Sequence, residues 1–155
     1  NHVRYELVHH MPAETAQECA AFSHVPGRCF AKSVVVCLDG KLALAVVPAN
    51  MDVDVDLLRS ATGATFVSIA DPLEFATRFE GCQLGAIPPL GVLFGMDLYV
   101  DKSMAKQDVI AFVAGSTTDV VAMKFADYRR IAHPRLTHIS VEKGRPAGRM
   151  RIPQL

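Results

Sequence analysis

The chain has 155 residues, of which half are hydrophobic and 21% are charged, a composition typical of one globular domain. Sixteen basic residues balance sixteen acidic ones. Proteins dedicated to duplex DNA usually carry a basic excess, because neutralising phosphates supplies most of their affinity, so we expect no duplex DNA partner. No apolar run approaches the roughly 20 residues of a membrane-spanning helix and no segment resembles a signal peptide, so we expect no membrane partner and a cytoplasmic location.

The first predicted elements are a strand and a helix. Tyr5–His9 alternates apolar and polar residues, as a half-buried strand does. Thr15 and Glu18 have the spacing of a capping box. This spacing predicts a helix over Ala16–Ser23.

Ala31–Val47 carries the clearest local pattern, which predicts a β-hairpin. Two runs rich in Val, Leu and Ala flank Asp39-Gly40, a pair suited to the type I′ turn. Leu42–Val47 is apolar at every position. The second strand should therefore be buried on both faces, well inside a sheet.

The three acids Asp52, Asp54 and Asp56 allow two interpretations, metal ligands or helix capping. Capping is favoured, because a helix N-terminus attracts negative charge and a helical pattern continues to Gly63. Further along, the sequence predicts these elements: a strand over Phe66–Ile69, a helix from Asp71-Pro72 to near Gly81, an ordered loop over Leu84–Gly95, strands at Leu98–Val100, Val109–Val113 and Val120–Met123, and a helix over Phe125–Ala132.

The predicted fold is a mixed α/β (α+β) domain with a mainly antiparallel, curved sheet and surrounding helices. Helices and strands alternate along the chain, but the hairpins require antiparallel neighbours. We divide the chain into a domain over residues 1–139 and a polar, basic tail over residues 140–155. The sequence contains neither the GxGxxG nor the Walker fingerprint, so it gives no support for a nucleotide cofactor.

Lys32 is the first candidate for chemistry. Its position in the hairpin places it on one face with Val34 and Val36. A lysine on an apolar face is costly unless its ammonium meets water, an acid or a ligand. Taken alone, the residue is better explained as a strand-end lysine whose ammonium reaches solvent.

Two loops are candidates for ligand contact. Gly85-Ala86-Ile87-Pro88-Pro89-Leu90-Gly91 combines glycines, which let a ligand approach the backbone, with prolines, which stiffen it. Ala114-Gly115-Ser116-Thr117-Thr118 offers a glycine and hydroxyls. Each loop is equally well explained as a connection between elements.

Cysteine and histidine chemistry has little support. Cys19, Cys29, Cys37 and Cys82 include no CxxC pair, and the six histidines have no ligand spacing, so we expect no metal and no cofactor. A Cys–His hydrolase using Cys29 or Cys82 is an alternative, although buried free thiols in a reducing compartment explain these residues more simply.

In their order and spacing, several strings resemble the YbaK and prolyl-tRNA-synthetase-associated family of aminoacyl-tRNA editing domains. They are Ala31-Lys32-Ser33-Val34-Val35-Val36, the hairpin end Ala45–Ala49, the Asp54–Gly63 helix, the Gly85–Gly91 loop and the Ala114-Gly115 loop. The resemblance covers roughly Tyr5 to Arg135 and is nearer to the YeaK-like branch. It implies the family fold and hydrolysis of the ester between an amino acid and its tRNA by a free-standing editing enzyme.

The resemblance also implies roles for particular residues. The catalytic set is Lys32, Gly85, Pro89 and Gly91, and the substrate-binding set is Ile87, Pro88, Ala114, Gly115 and Ser116. By analogy, the terminal ribose hydroxyl of the tRNA positions the attacking water. Pro88 replaces a serine common in the family, and the segment after Gly115 is more polar than usual, so the amino acid removed does not transfer by analogy.

The expected partner is mischarged aminoacyl-tRNA, and an aminoacyl-tRNA synthetase is a further candidate. In the tail, the candidates for tRNA attraction are Lys143, Arg145, Arg149 and Arg151, although a solvated terminus explains them slightly better. The main alternative function is a non-catalytic module that binds a ligand or partner within a larger protein.

Overall fold

A computed structural model describes residues 5–9, 20, 25–79, 81–82, 85–116 and 118–143. The predicted helix over Ala16–Ser23 lies outside these residues except for Ala20. The described part contains the following strands: β1 (Tyr5–His9), β2 (Ala31–Leu38), β3 (Lys41–Pro48), β4 (Met51–Val53), β5 (Val67–Ile69), β6 (Asp97–Asp101), β7 (Val109–Val113), β8 (Asp119–Lys124), β9 (Arg135–Thr137) and β10 (Ser140–Glu142).

The strands form three sheets, with the orders β5-β2-β3-β6-β9, β1-β8-β7 and β10-β4. The β3–β6 and β6–β9 pairs are parallel, whereas the other strand pairs are antiparallel. The predicted mixed fold with mainly antiparallel pairing is confirmed.

The β2–β3 hairpin forms as its turn sequence predicts. Asp39 and Gly40 both have positive φ angles, 50° and 85°, which is the requirement of a type I′ turn. β3 lies at the centre of the five-stranded sheet, and residues 43–48 are all buried. The apolar run that predicted burial on both faces is therefore explained by a central strand.

Three α-helices and four short 3-10 segments complete the described part. The helices are α1 (Val55–Thr62), α2 (Pro72–Phe75) and α3 (Phe125–Ala132), and the 3-10 segments are Gly27–Cys29, Ala76–Phe79, Gly91–Phe94 and Lys102–Lys106. The Asp54 carboxylate accepts hydrogen bonds from the amides of Asp56 and Leu57 at the start of α1. The capping interpretation is therefore correct for Asp54, whereas Asp52 lies in β4 and pairs with Lys32.

The two faces of the five-stranded sheet bury different clusters. One face contributes Val35, Leu44 and Val46 to a core that also contains aromatic side chains of α2 and α3. The opposite face contributes Val36 and Ala45 to a smaller core. Successive side chains of β2 point alternately into these two clusters. Neighbouring residues of β2 therefore lie on opposite faces of the sheet at the site described below.

The segment after Ile139 begins differently from the expected polar tail. Ser140–Glu142 forms β10 and pairs with β4, and Ser140 and Val141 are buried. The buried carboxylate of Asp101 accepts hydrogen bonds from the amides of Ile139 and Ser140. Within the described residues, no helix combines the length and apolar character that crossing a bilayer requires.

Candidate functional site

The candidate site is a cavity of about 370 Å³ along the outer edge of β2. β5 pairs with β2 only over Val36–Leu38, and the last contact is the amide of Ala70 donating to the carbonyl of Val35. The edge upstream of Val35 borders the cavity. Its lining consists of Ala31, Lys32, Ser33, Val34, Val35, Ile69, Ala70, Phe75, Gly85, Ile87, Val113 and Lys143.

The cavity has an apolar side and a cationic side, because side chains alternate across a strand. Ser33 stands opposite Val46 and faces the main core, on the side where Phe75 and Ile87 lie. Lys32 stands opposite Val47 and faces the other way. The cavity therefore wraps around the free edge of the strand and can hold a ligand that is apolar at one end and anionic at the other.

Lys32 is held by β4. Its ammonium donates to the carbonyl of Met51 at 2.6 Å and to the carboxylate of Asp52 at 3.1 Å, and its side chain is 18% exposed. Burial lowers the pKa of Lys32, and the nearby Lys143 lowers it further, while Asp52 opposes the shift. The structure thus holds a partly desolvated ammonium at the cavity. The Lys32 side chain does not extend into bulk solvent, although it lies near the end of a strand.

Ser33 was not among the predicted site residues. It lines the cavity, and its buried hydroxyl has no hydrogen-bond partner among the described residues. Leaving a buried hydroxyl unpaired costs about 1–3 kcal/mol, so such groups in cavities are candidates for ligand recognition. The sequence signal was adjacency to Lys32, but an alternating strand would point the two side chains apart.

The Gly85–Gly91 loop contributes only its first part to the cavity. Gly85, with a φ of 87°, and Ile87 line it. Pro88 and Pro89 are buried and do not belong to the lining. The carbonyl of Pro89 accepts a 2.7 Å hydrogen bond from the buried hydroxyl of Tyr128, so this proline anchors the loop to α3.

Gly91 begins a 3-10 segment and lies away from the lining. A Cβ atom there would meet the Met96 carbonyl oxygen at 2.4 Å and the Leu98 Cβ at 3.2 Å. The absence of a side chain is therefore required by packing against the following strand. Changing Gly91 would disturb the fold itself.

The second predicted loop supports the first. The amide of Gly115 donates to the carbonyl of Ala86 at 2.8 Å, and Gly115 has a φ of 92°. Ala114 is exposed, and the Ser116 hydroxyl lies 2.8 Å from that of Thr118. None of Ala114, Gly115 and Ser116 lines the cavity, whereas the preceding Val113 does.

Of the four basic residues predicted to attract tRNA, Lys143 is described and lines the cavity beside Lys32. Arg145, Arg149 and Arg151 lie outside the described residues, as does Cys19. Cys29, Cys37 and Cys82 are free thiols, and the thiol of Cys29 contacts the Gln107 side chain. Within the described ranges, no group of three or more His, Cys, Asp or Glu residues could hold a metal ion.

With this geometry established, comparison with known proteins identifies the family. Residues 10–131 match the family described as the aminoacyl-tRNA editing domain. The chain belongs to this family. The matched range includes β2, the Gly85–Gly91 loop and the Ala114–Ser116 loop, so most of the cavity lies within the shared domain.

Two sequence relatives show how the editing domain occurs elsewhere. The chain is 34% identical over 133 residues to the Multifunctional Ser/Thr-tRNA deacylase ProXp-y of Escherichia coli strain K12, which covers 81% of this chain and 79% of that protein. It is 28% identical over 107 residues to a proline–tRNA ligase of Streptococcus suis strain 05ZYH33, which covers 69% of this chain but 17% of the ligase.

A solved structure agrees on the fold. The crystal structure of a candidate trans-editing enzyme for prolyl tRNA synthetase superimposes with a TM-score of 0.75, covering 90% of this chain and 87% of that one at 18% identity. This similarity concerns the architecture of the domain.

Proposed function

We propose that this editing domain hydrolyses the ester of mischarged aminoacyl-tRNA in trans. The observation that carries the proposal is the cavity at the edge of β2, where an anchored ammonium on one side and an apolar wall on the other belong to a domain of the editing family. An aminoacyl ester joins an anionic nucleic acid to a small side chain. The two sides of the cavity match these two parts.

The cavity can supply what ester hydrolysis needs. Lys32 binds the phosphate or sugar of the terminal nucleotide on the cationic side. Amides of Gly85–Ile87 face the ester carbonyl, and losing one such donor to a developing oxyanion typically costs about 3 kcal/mol. The terminal ribose hydroxyl positions the water, so the protein contributes geometry and electrostatics, and no metal takes part.

In this proposal, other predicted residues support the cavity wall without touching the substrate. They are Pro88, Pro89, Gly91 and the Ala114–Ser116 loop. Pro89 ties the loop to Tyr128, and Gly115 ties it to the neighbouring turn through Ala86. These contacts hold Gly85 and Ile87 at the cavity wall. A shift of the loop by a fraction of an ångström would misplace the amides that face the substrate.

We propose that the amino acid removed is small and carries a hydroxyl group. The E. coli relative is named as a Ser/Thr-tRNA deacylase. In this chain, Ser33 lines the apolar side of the cavity with a hydroxyl that lacks a partner among the described residues. A substrate hydroxyl would satisfy it, and a site built for a hydroxyl discriminates strongly against an analogue that lacks one.

Replacing Ser33 with alanine tests this assignment. We expect Ser33→Ala to lose preference for a seryl over an alanyl ester by about tenfold, because one hydrogen bond is worth about 1 kcal/mol or more. The ratio of kcat/KM for the two esters on one tRNA measures it. Val34→Ala, which removes a neighbouring wall residue without a hydroxyl, serves as the control. An unchanged ratio in Ser33→Ala would contradict the role.

The proposed function is tested by a panel of tRNAs, each charged with a correct or an incorrect amino acid. We expect release of the amino acid from seryl or threonyl mischarged tRNAs and little release from correctly charged ones. Release from none of them, by a folded protein that still binds aminoacyl-adenosine analogues, would favour the non-catalytic module.

We further propose that the enzyme acts in the cytoplasm and meets its substrate near an aminoacyl-tRNA synthetase. The similarity to part of a proline–tRNA ligase supports such a partner. Arg145, Arg149 and Arg151 are proposed to add non-specific attraction for tRNA. Neither duplex DNA nor a membrane surface is a partner in this proposal.

A further inference from the structure

The cationic side of the cavity contains two lysines from distant parts of the chain. Lys32 belongs to β2, and Lys143 follows the last residue of β10. Both line the cavity, and they are close enough for Lys143 to oppose the charging of Lys32. Two ammonium groups repel one another, so their convergence on one cavity indicates a site for an anion.

The backbone that leads to the exposed Lys143 is held by the pairing and hydrogen bonds of the residues before it. Glu142 stands opposite Met51 in the β10–β4 pair. The carbonyl of Met51 accepts a hydrogen bond from the ammonium of Lys32. At the other end of β10, Asp101 holds the amides of Ile139 and Ser140. The same short sheet therefore positions both lysines, one through a strand end and one through a carbonyl.

The chemistry of the substrate gives this pair an occupant. In the terminal nucleotide of tRNA, the ribose carries the aminoacyl ester on one side and the 5′-phosphate on the other. A ribose at the free edge of β2 would direct the ester toward Gly85 and the phosphate toward the lysines. Asp52 pairs with Lys32, and Lys143 brings a second ammonium to the same cavity.

We propose that Lys143 and Lys32 together bind the 5′-phosphate of the terminal nucleotide, so that β10 is part of the substrate site. This inference rests on the proposed function. Lys143 is a positioning residue: it holds the nucleotide while the ester reacts elsewhere in the cavity.

The test compares the binding of adenosine 5′-monophosphate and adenosine, followed by NMR titration. We expect the wild type to bind the monophosphate about tenfold more tightly, and Lys143→Gln to lose most of that preference. Lys143→Arg should keep it. Lys41→Gln is the matched control, since Lys41 is exposed at the far end of the same hairpin. An equal preference in wild type and Lys143→Gln, or no preference in the wild type, would overturn the proposal.

Kinetics separate this inference from the proposed function. With mischarged tRNA, Lys143→Gln should raise KM several-fold and leave kcat near the wild-type value; a fall in kcat at unchanged KM would contradict the positioning role. If the wild type deacylates no tRNA but binds the monophosphate through Lys143, the proposed function fails and the phosphate site stands.

Discussion

At the residue scale, Lys32 shows how its surroundings fix a common side chain at a cavity. Lysine is ordinarily a flexible, hydrated cation, but here a carbonyl and a carboxylate on β4 hold it at the cavity. The sequence identified Lys32 through its apolar neighbours and the family resemblance. It could not reveal Met51 and Asp52 as anchors, because no local pattern links residues about twenty positions apart.

Gly85 and Gly91 have different roles, and substitution separates them. We expect Gly85→Ala to reduce kcat/KM about tenfold or more, because a side chain at a φ of 87° is strained and lies at the cavity wall. Its melting temperature should fall by a few degrees at most, since backbone strain of this kind costs about 1 kcal/mol.

Gly91→Ala should instead destabilise the whole protein. Its Cβ would lie 2.4 Å from the Met96 carbonyl oxygen, a clash that requires backbone movement. Thermal unfolding and activity measured on both variants decide the matter. If Gly91→Ala melts like the wild type, the packing explanation is wrong. The sequence placed both glycines in one functional loop. Composition does not distinguish a glycine that lines a cavity, such as Gly85, from one required by close packing, such as Gly91.

At the element scale, the hairpin and the short strand β5 were predictable, whereas β4, β9 and β10 were not. Asp39-Gly40 determines the turn, and the apolar run Leu42–Val47 determines the strand after it. β10 has three residues, of which Ser140 and Glu142 are polar. Its place in the fold comes from pairing with β4 and from Asp101, and these contacts are non-local. The sequence therefore assigned the start of β10 to the tail.

The side chain of Asp101 holds the start of β10 in place. Burial would raise its pKa, but hydrogen bonds from Ser103, Ile139 and Ser140 outweigh that effect and hold the pKa below its usual value. A carboxyl group with a depressed pKa in the folded state stabilises the protein above its unfolded pKa of 3.8, and this stabilisation is lost as the pH falls through the folded value.

Replacing Asp101 should therefore weaken the fold at neutral pH and flatten its response to acid. We expect Asp101→Asn to lower the free energy of unfolding by about 1–3 kcal/mol at pH 7, because buried amides lose a charged acceptor. Below pH 4 the difference from wild type should shrink. Urea unfolding from pH 3 to 7 measures both effects, with the exposed Asp108→Asn as the control. A difference that grows in acid would refute the assignment.

At the scale of the whole molecule, the net charge is zero, but basic residues cluster near the end of the sequence. Deleting residues 144–155 removes Arg145, Arg149 and Arg151 while keeping β10 and Lys143. We expect the truncated enzyme to show a higher KM at low salt, a shallower dependence of KM on salt and an unchanged kcat, because the lost term is counterion release. A salt dependence identical to that of the full chain would show that these arginines do not attract tRNA.

The architecture was predicted at the level of class, and its parallel pairs were not. β3 pairs with β6 and β6 with β9 in parallel, across long sequence separations that leave no periodic signal. A further non-local contact, from Tyr128 to Pro89, joins α3 to the Gly85–Gly91 loop. The cavity depends on this arrangement, so Phe75 and Val113 could not be assigned to the site from sequence.

The central claim is that the aminoacyl ester of mischarged tRNA is hydrolysed in the cavity at Lys32. The most direct measurement is the rate of amino-acid release from seryl mischarged tRNA by Lys32→Ala, alongside Lys41→Ala as the matched loss of one lysine. We expect Lys32→Ala to be slower by about 100-fold or more, because misplacing the substrate can cost that much, and to melt near the wild-type temperature. Lys41→Ala should react like the wild type. A Lys32→Ala protein that deacylates at the wild-type rate would contradict the account.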